Sequence, residues 1–79
     1  MKHIITYDLA VELWRGDHAS NEIITLTIRS EHAAWSEKWI DQIVNRIWDL
    51  TNYSSLQIRT ALRLISITDI RIDYDEYAV

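Results

Sequence analysis

Apolar and polar residues alternate cleanly from the start of the chain. His3, Ile5, Tyr7, Leu9, Val11 and Leu13 fall on one side, with Lys2, Ile4, Thr6, Asp8, Ala10, Glu12 and Trp14 on the other. A period of two over residues 3–14 predicts a strand with one buried face. Residues 15–21 (RGDHASN) are polar and contain Gly16, as a hairpin connection would. Alternation resumes over 22–29, with Ile24, Leu26 and Ile28 inward and Ile23, Thr25, Thr27 and Arg29 outward. The β-branched content of this segment supports a second strand.

The period then changes. From Ser30 onward Ala33, Trp39, Ile40, Ile43, Val44, Ile47 and Leu50 follow three-four spacing, which predicts an amphipathic helix of about five turns. Ser30 is the expected N-cap, and Glu31 suits the positive end of the helix dipole. Thr51-Asn52-Tyr53 interrupts the pattern, and Ser54-Ser55-Leu56-Gln57 has capping-box spacing. A second helix is expected to bury Ile58, Ala61, Leu62 and Ile65, with Arg59 and Arg63 outside. A third strand is read over about 67–77, with Ile70, Ile72 and Tyr74 inward and Asp69, Arg71, Asp73 and Asp75 outward. The order ββααβ makes an α+β fold: a small, mainly antiparallel three-stranded sheet with both helices on one face. Residues 1–79 read as a single domain without repeat or linker. Ile5, Leu9, Leu26, Ile43, Ile47, Leu62 and Ile72 are expected to be nearly fully buried. The pattern leaves open whether the third strand pairs with the first or the second.

Composition narrows the chemistry. One glycine, no proline and no cysteine exclude glycine-rich phosphate cradles, thiol nucleophiles, disulfide frameworks and cysteine-based metal sites. A chain of 79 residues must build a dense core to fold without such staples, and four tryptophans serve that need. A homodimer would relieve the same shortage of core and is expected. The lack of cysteine fits a cytoplasmic protein, and no apolar run is long enough to span a membrane. Twelve acidic against eight basic residues give a net charge of −4, which disfavours direct nucleic-acid binding and favours a basic protein partner.

Three constellations remain as candidates. The first is the outward sheet face, where Asp8, Glu12, Asp69, Asp73 and Asp75 collect with Arg29 and Arg71. Such a row can meet an arginine-rich groove, and it is equally the solvated face expected of an antiparallel sheet. The second is the pair Trp14 and Trp35: Trp14 falls on the polar side of its strand, and Trp35 lies outside the apolar stripe of the helix, stacked on Trp39 at i, i+4. Trp48 sits at the border of that stripe. The third is a helix-turn-helix over residues 42–65, with Gln57, Arg59, Thr60 and Arg63 on its second helix. Arg46 stands there where a small residue normally permits close packing, and the turn lacks its usual glycine. His3, His18 and His32 share no ligand spacing, the acidic run 73–76 lacks the glycine and ligand order of a calcium loop, and no serine stands in a nucleophile elbow. No cofactor or metal is expected.

The functional expectation is a small non-catalytic protein-binding module, an inhibitor or adaptor that blocks a basic surface of a macromolecular partner such as a nucleic-acid-binding complex. Asp8, Glu12, Asp73, Asp75, Trp14 and Trp35 are its expected contact set. Phage- or plasmid-encoded inhibitors of host defence, anti-CRISPR proteins among them, have this general character, a likeness of type and not of sequence. The alternative is a helix-turn-helix DNA-binding regulator built on residues 42–65.

Overall fold

The computed structural model describes residues 3–16 and 21–74, with side chains as far as Ile72. Strand β1 (His3–Leu13) runs through the middle of the sheet, flanked by β2 (Glu22–Ser30) and β3 (Leu62–Tyr74). Both pairings are antiparallel, so the third strand joins the first and the spatial order is β2-β1-β3. Helices α1 (Glu37–Leu50) and α2 (Ser55–Ala61) complete the ββααβ order, an α+β fold as expected.

The period-two pattern of β1 becomes the floor of the core. Tyr7, Leu9, Val11 and Leu13 are buried, and Leu26 and Ile28 of β2 extend the apolar floor beside them. Helix α1 lays Trp39, Ile43, Val44 and Ile47 onto this surface, and Ile58 of α2 closes one end. Trp39 meets Tyr7 edge to face, with ring centroids 5.5 Å apart. Its indole Nε1 is buried with no acceptor among the described residues. An unmade hydrogen bond of this kind costs about 1–3 kcal/mol, so Trp39 contributes through volume and ring contact.

The first helix starts later than its apolar spacing suggests. Ser30 is not a cap: it pairs with Ile5 as the last residue of β2 and is buried. Its hydroxyl donates to Oε1 of Gln42 and accepts the backbone N–H of His32 at 2.9 Å. Gln42 Nε2 donates in turn to the carbonyl of Arg29 at 3.3 Å, so strand end and helix are tied together. Between them the chain makes a turn closed by Ser36 N–H to Ala33 C=O, with Trp35 in the left-handed region at φ 70°. That conformation costs a non-glycine residue roughly 1–2 kcal/mol and cannot propagate a helix. Ser36 therefore caps α1, accepting the N–H of Trp39 at 3.3 Å.

The second helix is shorter than expected and the third strand longer. The capping box at Ser54 and Gln57 is present in both directions, at 3.1 and 2.8 Å. Only two turns follow, because the Ala61 carbonyl accepts from Trp14 N–H at 2.7 Å and Leu62 takes extended geometry. Leu62 and Ile65 thus belong to β3, where register shifts fall at Arg63 and Thr68. Each β-bulge inserts one residue, so inward positions there are spaced by three (62 to 65, 67 to 70) and imitate a helical stripe.

Burial follows the reach of the helices. Leu9, Leu26, Ile43 and Ile47 are buried as expected, whereas Ile5 and Leu62 are half-buried. Ile72 contradicts its expected burial: it is 58% exposed and its neighbour Ile70 50% exposed, although both share the helix-side face with Ile5 and Tyr7. Helix α1 packs over β2 and against α2, and the far half of β3 lies beyond its cover. Truncating Ile43 or Ile47 to alanine is therefore expected to cost about 2–5 kcal/mol in urea unfolding, and Ile72→Ala under about 1 kcal/mol. Equal losses at Ile47 and Ile72 would overturn this assignment of the core.

Candidate functional site

The outer face of the sheet, away from the helices, is built from cross-strand rows whose order follows from the two registers. Moving from the Leu13 end, the rows are Ile23–Glu12–Leu64, Thr25–Ala10–Ser66, Thr27–Asp8–Asp69 and Arg29–Thr6–Arg71. The carboxylates that sequence places together thus occupy distinct environments.

Asp8 is already committed. Arg71 Nη1 donates to Asp8 Oδ2 at 2.7 Å, Nη2 donates to Oδ1 at 3.2 Å, and Thr27 Oγ1 donates to Oδ1 at 2.8 Å. The same guanidinium reaches Asp69 Oδ2 at 2.7 Å, and Thr68 Oγ1 ties to the Asp8 carbonyl at 3.0 Å. A fork meeting a carboxylate with two N–H groups fixes both side chains in the plane of the pair. The Arg71 hydrogen bond, supported by that of Thr27, holds the Asp8 carboxyl below its ordinary pKa, and the two carboxylates raise that of Arg71. This cluster is internally neutralised apart from one surplus negative charge.

Glu12 is different. Asn21 Nδ2 donates to it at 3.3 Å, and no cation among the described residues pairs with it. Ile23 and Leu64, its cross-strand neighbours, are both more than half exposed. A carboxylate between two open aliphatic side chains can take a lysine or arginine, packing the stem on the aliphatics and pairing the head with the acid.

Trp14 lies just past the end of β1, not on its polar face, and is half exposed. The Arg63 guanidinium sits over its ring, 5.3 Å from the centroid. Beside it a shallow cavity of about 250 Å³ is lined by Leu13, Trp14, Arg15, Glu22, Tyr53 and Gln57. There Glu22 accepts from Tyr53 OH at 2.9 Å and pairs with Arg15 at 3.3 Å. The bond to Glu22 raises the pKa of the Tyr53 phenol.

Glu12 and Trp14 thus share one end of the sheet. Trp35 belongs to the other half: it precedes α1, is 56% exposed and lies 5.0 Å from Trp39 between ring centroids. Asp73 stands opposite Ile4 in register, eight positions along β1 from Glu12 or about 26 Å. Its side chain and all of Asp75 lie outside the described residues. The sequence pattern places Ile23 outward on its strand but puts Leu64 within the second helix, so nothing in it joins the two. Their alternation with Glu12 across strands becomes visible only once the register is known.

Within residues 42–65 the helix, turn and helix are present, but the second helix ends at Ala61, short of its expected extent. Residues 62–65 are strand, Arg63 covers Trp14, and Arg59 is paired with Asp41 of α1. The two arginines belong to separate elements and each has an internal partner. Among the described residues no group of three His, Cys, Asp or Glu side chains could hold a metal, and no helix is long and apolar enough to cross a membrane.

Since the folded-state pKa of Asp8 is depressed, its contribution to stability is present above the ordinary aspartate value and lost as pH falls through the folded value. Wild type is expected to lose stability between about pH 5 and pH 2 more steeply than Asp8→Asn, measured by urea unfolding across that range. Parallel acid limbs for the two proteins would show that the Arg71 fork does not persist in solution.

Comparison with protein-family models, with curated proteins and with solved structures finds no match for this chain.

Proposed function

We propose that this protein is a non-catalytic binding module that covers a basic surface of a macromolecular partner, in the manner of an inhibitor or adaptor. The observation that carries the reading is the Ile23–Glu12–Leu64 row: an acid with no cationic partner among the described residues, set between two exposed aliphatic side chains and adjoining Trp14. Large apolar side chains left open beside an unpaired charge are the composition of an interface centre, where a charge pair becomes desolvated as its rim closes. The Arg71 cluster supports the same reading from the other side. All but one of its charges are balanced within the cluster, so it stiffens the face, and Glu12 is the acid better placed to engage the partner.

Partner contact therefore centres on Glu12 and Trp14, a narrower set than the row of carboxylates read from sequence. A small acidic module of this kind suits occlusion of a nucleic-acid-binding groove, the use an anti-defence inhibitor of the anti-CRISPR type would make of it. The regulator reading needs a free basic helix, and Arg59 and Arg63 are both engaged elsewhere.

The test is quantitative capture of basic proteins from a host lysate on immobilised wild type, Glu12→Lys and Asp73→Lys. A partner held by wild type and by Asp73→Lys, but weakened at least about tenfold (~1.4 kcal/mol) by Glu12→Lys, is the expected result. Flow-through on heparin at low salt should accompany it. Heparin retention that disappears in Arg59→Ala/Arg63→Ala, with no effect of Glu12→Lys on capture, would replace this reading with nucleic-acid binding.

A further inference from the structure

Strand β3 has β1 on one side and no strand among the described residues on the other, so one edge presents unpaired backbone N–H and C=O groups. Protein edges are generally blunted by proline, lysine, bulges, short length or a covering element. The 13 residues of β3 contain neither proline nor lysine. Bulges at Arg63 and Thr68 protect the first half, whereas Asp69–Tyr74 pairs with β1 without interruption. Arg63 is drawn over Trp14, and Arg71 is paired along the strand with Asp69 and across it with Asp8, so the segment carries neighbouring charges of both signs and no run of like charge.

The same half of β3 carries the misplaced apolar surface. On the helix-side face, Leu26 and Ile28 of β2 are buried beneath α1, while Ile70 and Ile72 of β3 stand half open. Ile70 lies opposite Tyr7, which packs on Trp39, and Trp39 carries the exposed Trp35. An open edge and an open apolar strip therefore coincide on one six-residue segment.

We infer that the occupant of this edge is a second copy of the same chain, joined through antiparallel pairing of the two β3 strands about a two-fold axis at Ile70. The charges select the register. Centring on Ile70 sets Asp69 opposite Arg71 of the second copy, and Arg71 opposite its Asp69, two complementary pairs from one operation. Centring on Arg71 instead sets two guanidinium groups against each other and is disfavoured. A register offset by one would place isoleucine opposite arginine and bury neither. In the chosen register Asp69–Arg71 of the two copies pair without a bulge, Ile70 meets its own counterpart, and Ile72 lies alongside Thr68, the bulge residue of the second copy.

The result is one six-stranded sheet, β2-β1-β3-β3-β1-β2, with no unprotected β3 edge. The axis is perpendicular to the sheet, so both helical layers lie on one side with the four isoleucines in the trough between them. Both Glu12 rows then face the opposite side together, which makes the dimer bivalent toward a partner. The dimer itself does not rest on the binding role proposed for Glu12.

The chain contains no cysteine, so a single introduced thiol reports on one position. Sedimentation of wild type from micromolar to millimolar concentration is expected to show a dimer. Ile70→Lys should be monomeric, with an unchanged near-ultraviolet spectrum showing that the tryptophan core is intact. With a short bis-maleimide, Ile70→Cys should cross-link to a covalent dimer at least about tenfold faster than Ile23→Cys on the outer face of β2, the residue at the axis facing itself. A mixture of Asp69→Cys and Arg71→Cys should cross-link faster than either variant alone. A wild-type monomer across the whole concentration range, or equal cross-linking of Ile70→Cys and Ile23→Cys, overturns the proposal.

Discussion

A helix of 14 residues is about 21 Å long, while a strand of 13 spans about 43 Å. That mismatch of rise per residue governs the molecule. One long helix and one of two turns cannot cover a sheet whose strands run to 11 and 13 residues, so the core forms where they do reach. Trp39, Ile43, Val44 and Ile47 therefore seal Tyr7, Leu9 and Val11, and the sheet continues past them as an uncovered ribbon. The molecule is accordingly elongated, 52 × 22 × 19 Å, with a radius of gyration of 14.0 Å. A compact chain of this length would have a radius of roughly 11–12 Å. The exposed isoleucines of β3 are the direct consequence, and so is an open strand edge beside them.

The tie between strand end and helix start determines which part of the sheet is covered. Ser30 and Gln42 lock α1 to the end of β2, and the turn through Trp35 sets the angle at which the helix returns over the sheet. Left-handed backbone at a tryptophan is unfavourable by itself. It persists because the ring lies on Trp39, whose own ring is fixed against Tyr7. The helix is thereby placed over β2 and β1, leaving the distal part of β3 bare.

Electrostatics divides the outer face in a comparable way. Twelve acidic residues against eight basic ones suggest a diffuse negative surface, yet the charges are not equally available. Arg71 occupies Asp8 and Asp69, Arg15 occupies Glu22 and Arg59 occupies Asp41. Among the described residues Glu12 has no cationic partner, and it lies next to apolar side chains that would lower the local dielectric if covered. Two surfaces thus remain open, an acid-centred patch on the outer face and an apolar edge on β3, and they point in different directions.

Local pattern was sufficient for much of this. Period-two alternation in β1 and β2, the helical stripe of residues 39–50 and the capping box at Ser54 depend on neighbours close in the chain, and all appear in the structure. On that basis Glu12 was legible as an outward position of β1 and Trp14 as lying off its apolar face, although Trp14 stands just past the strand. Three features were not, because each arises from contacts distant in sequence. Ser30 resembled a cap but is held in β2 by pairing with Ile5, which passes the capping role to Ser36. Residues 62–65 resembled helix because bulges against β1 convert a strand's spacing into threes. Ile70 and Ile72 alternate as core residues should, but burial requires an element above them, and the length of α1 puts none there. The chain by itself determined which face of each element is apolar. Only the tertiary structure decided which apolar faces were covered, because cover depends on how far a helix reaches along a strand that rises more than twice as fast per residue.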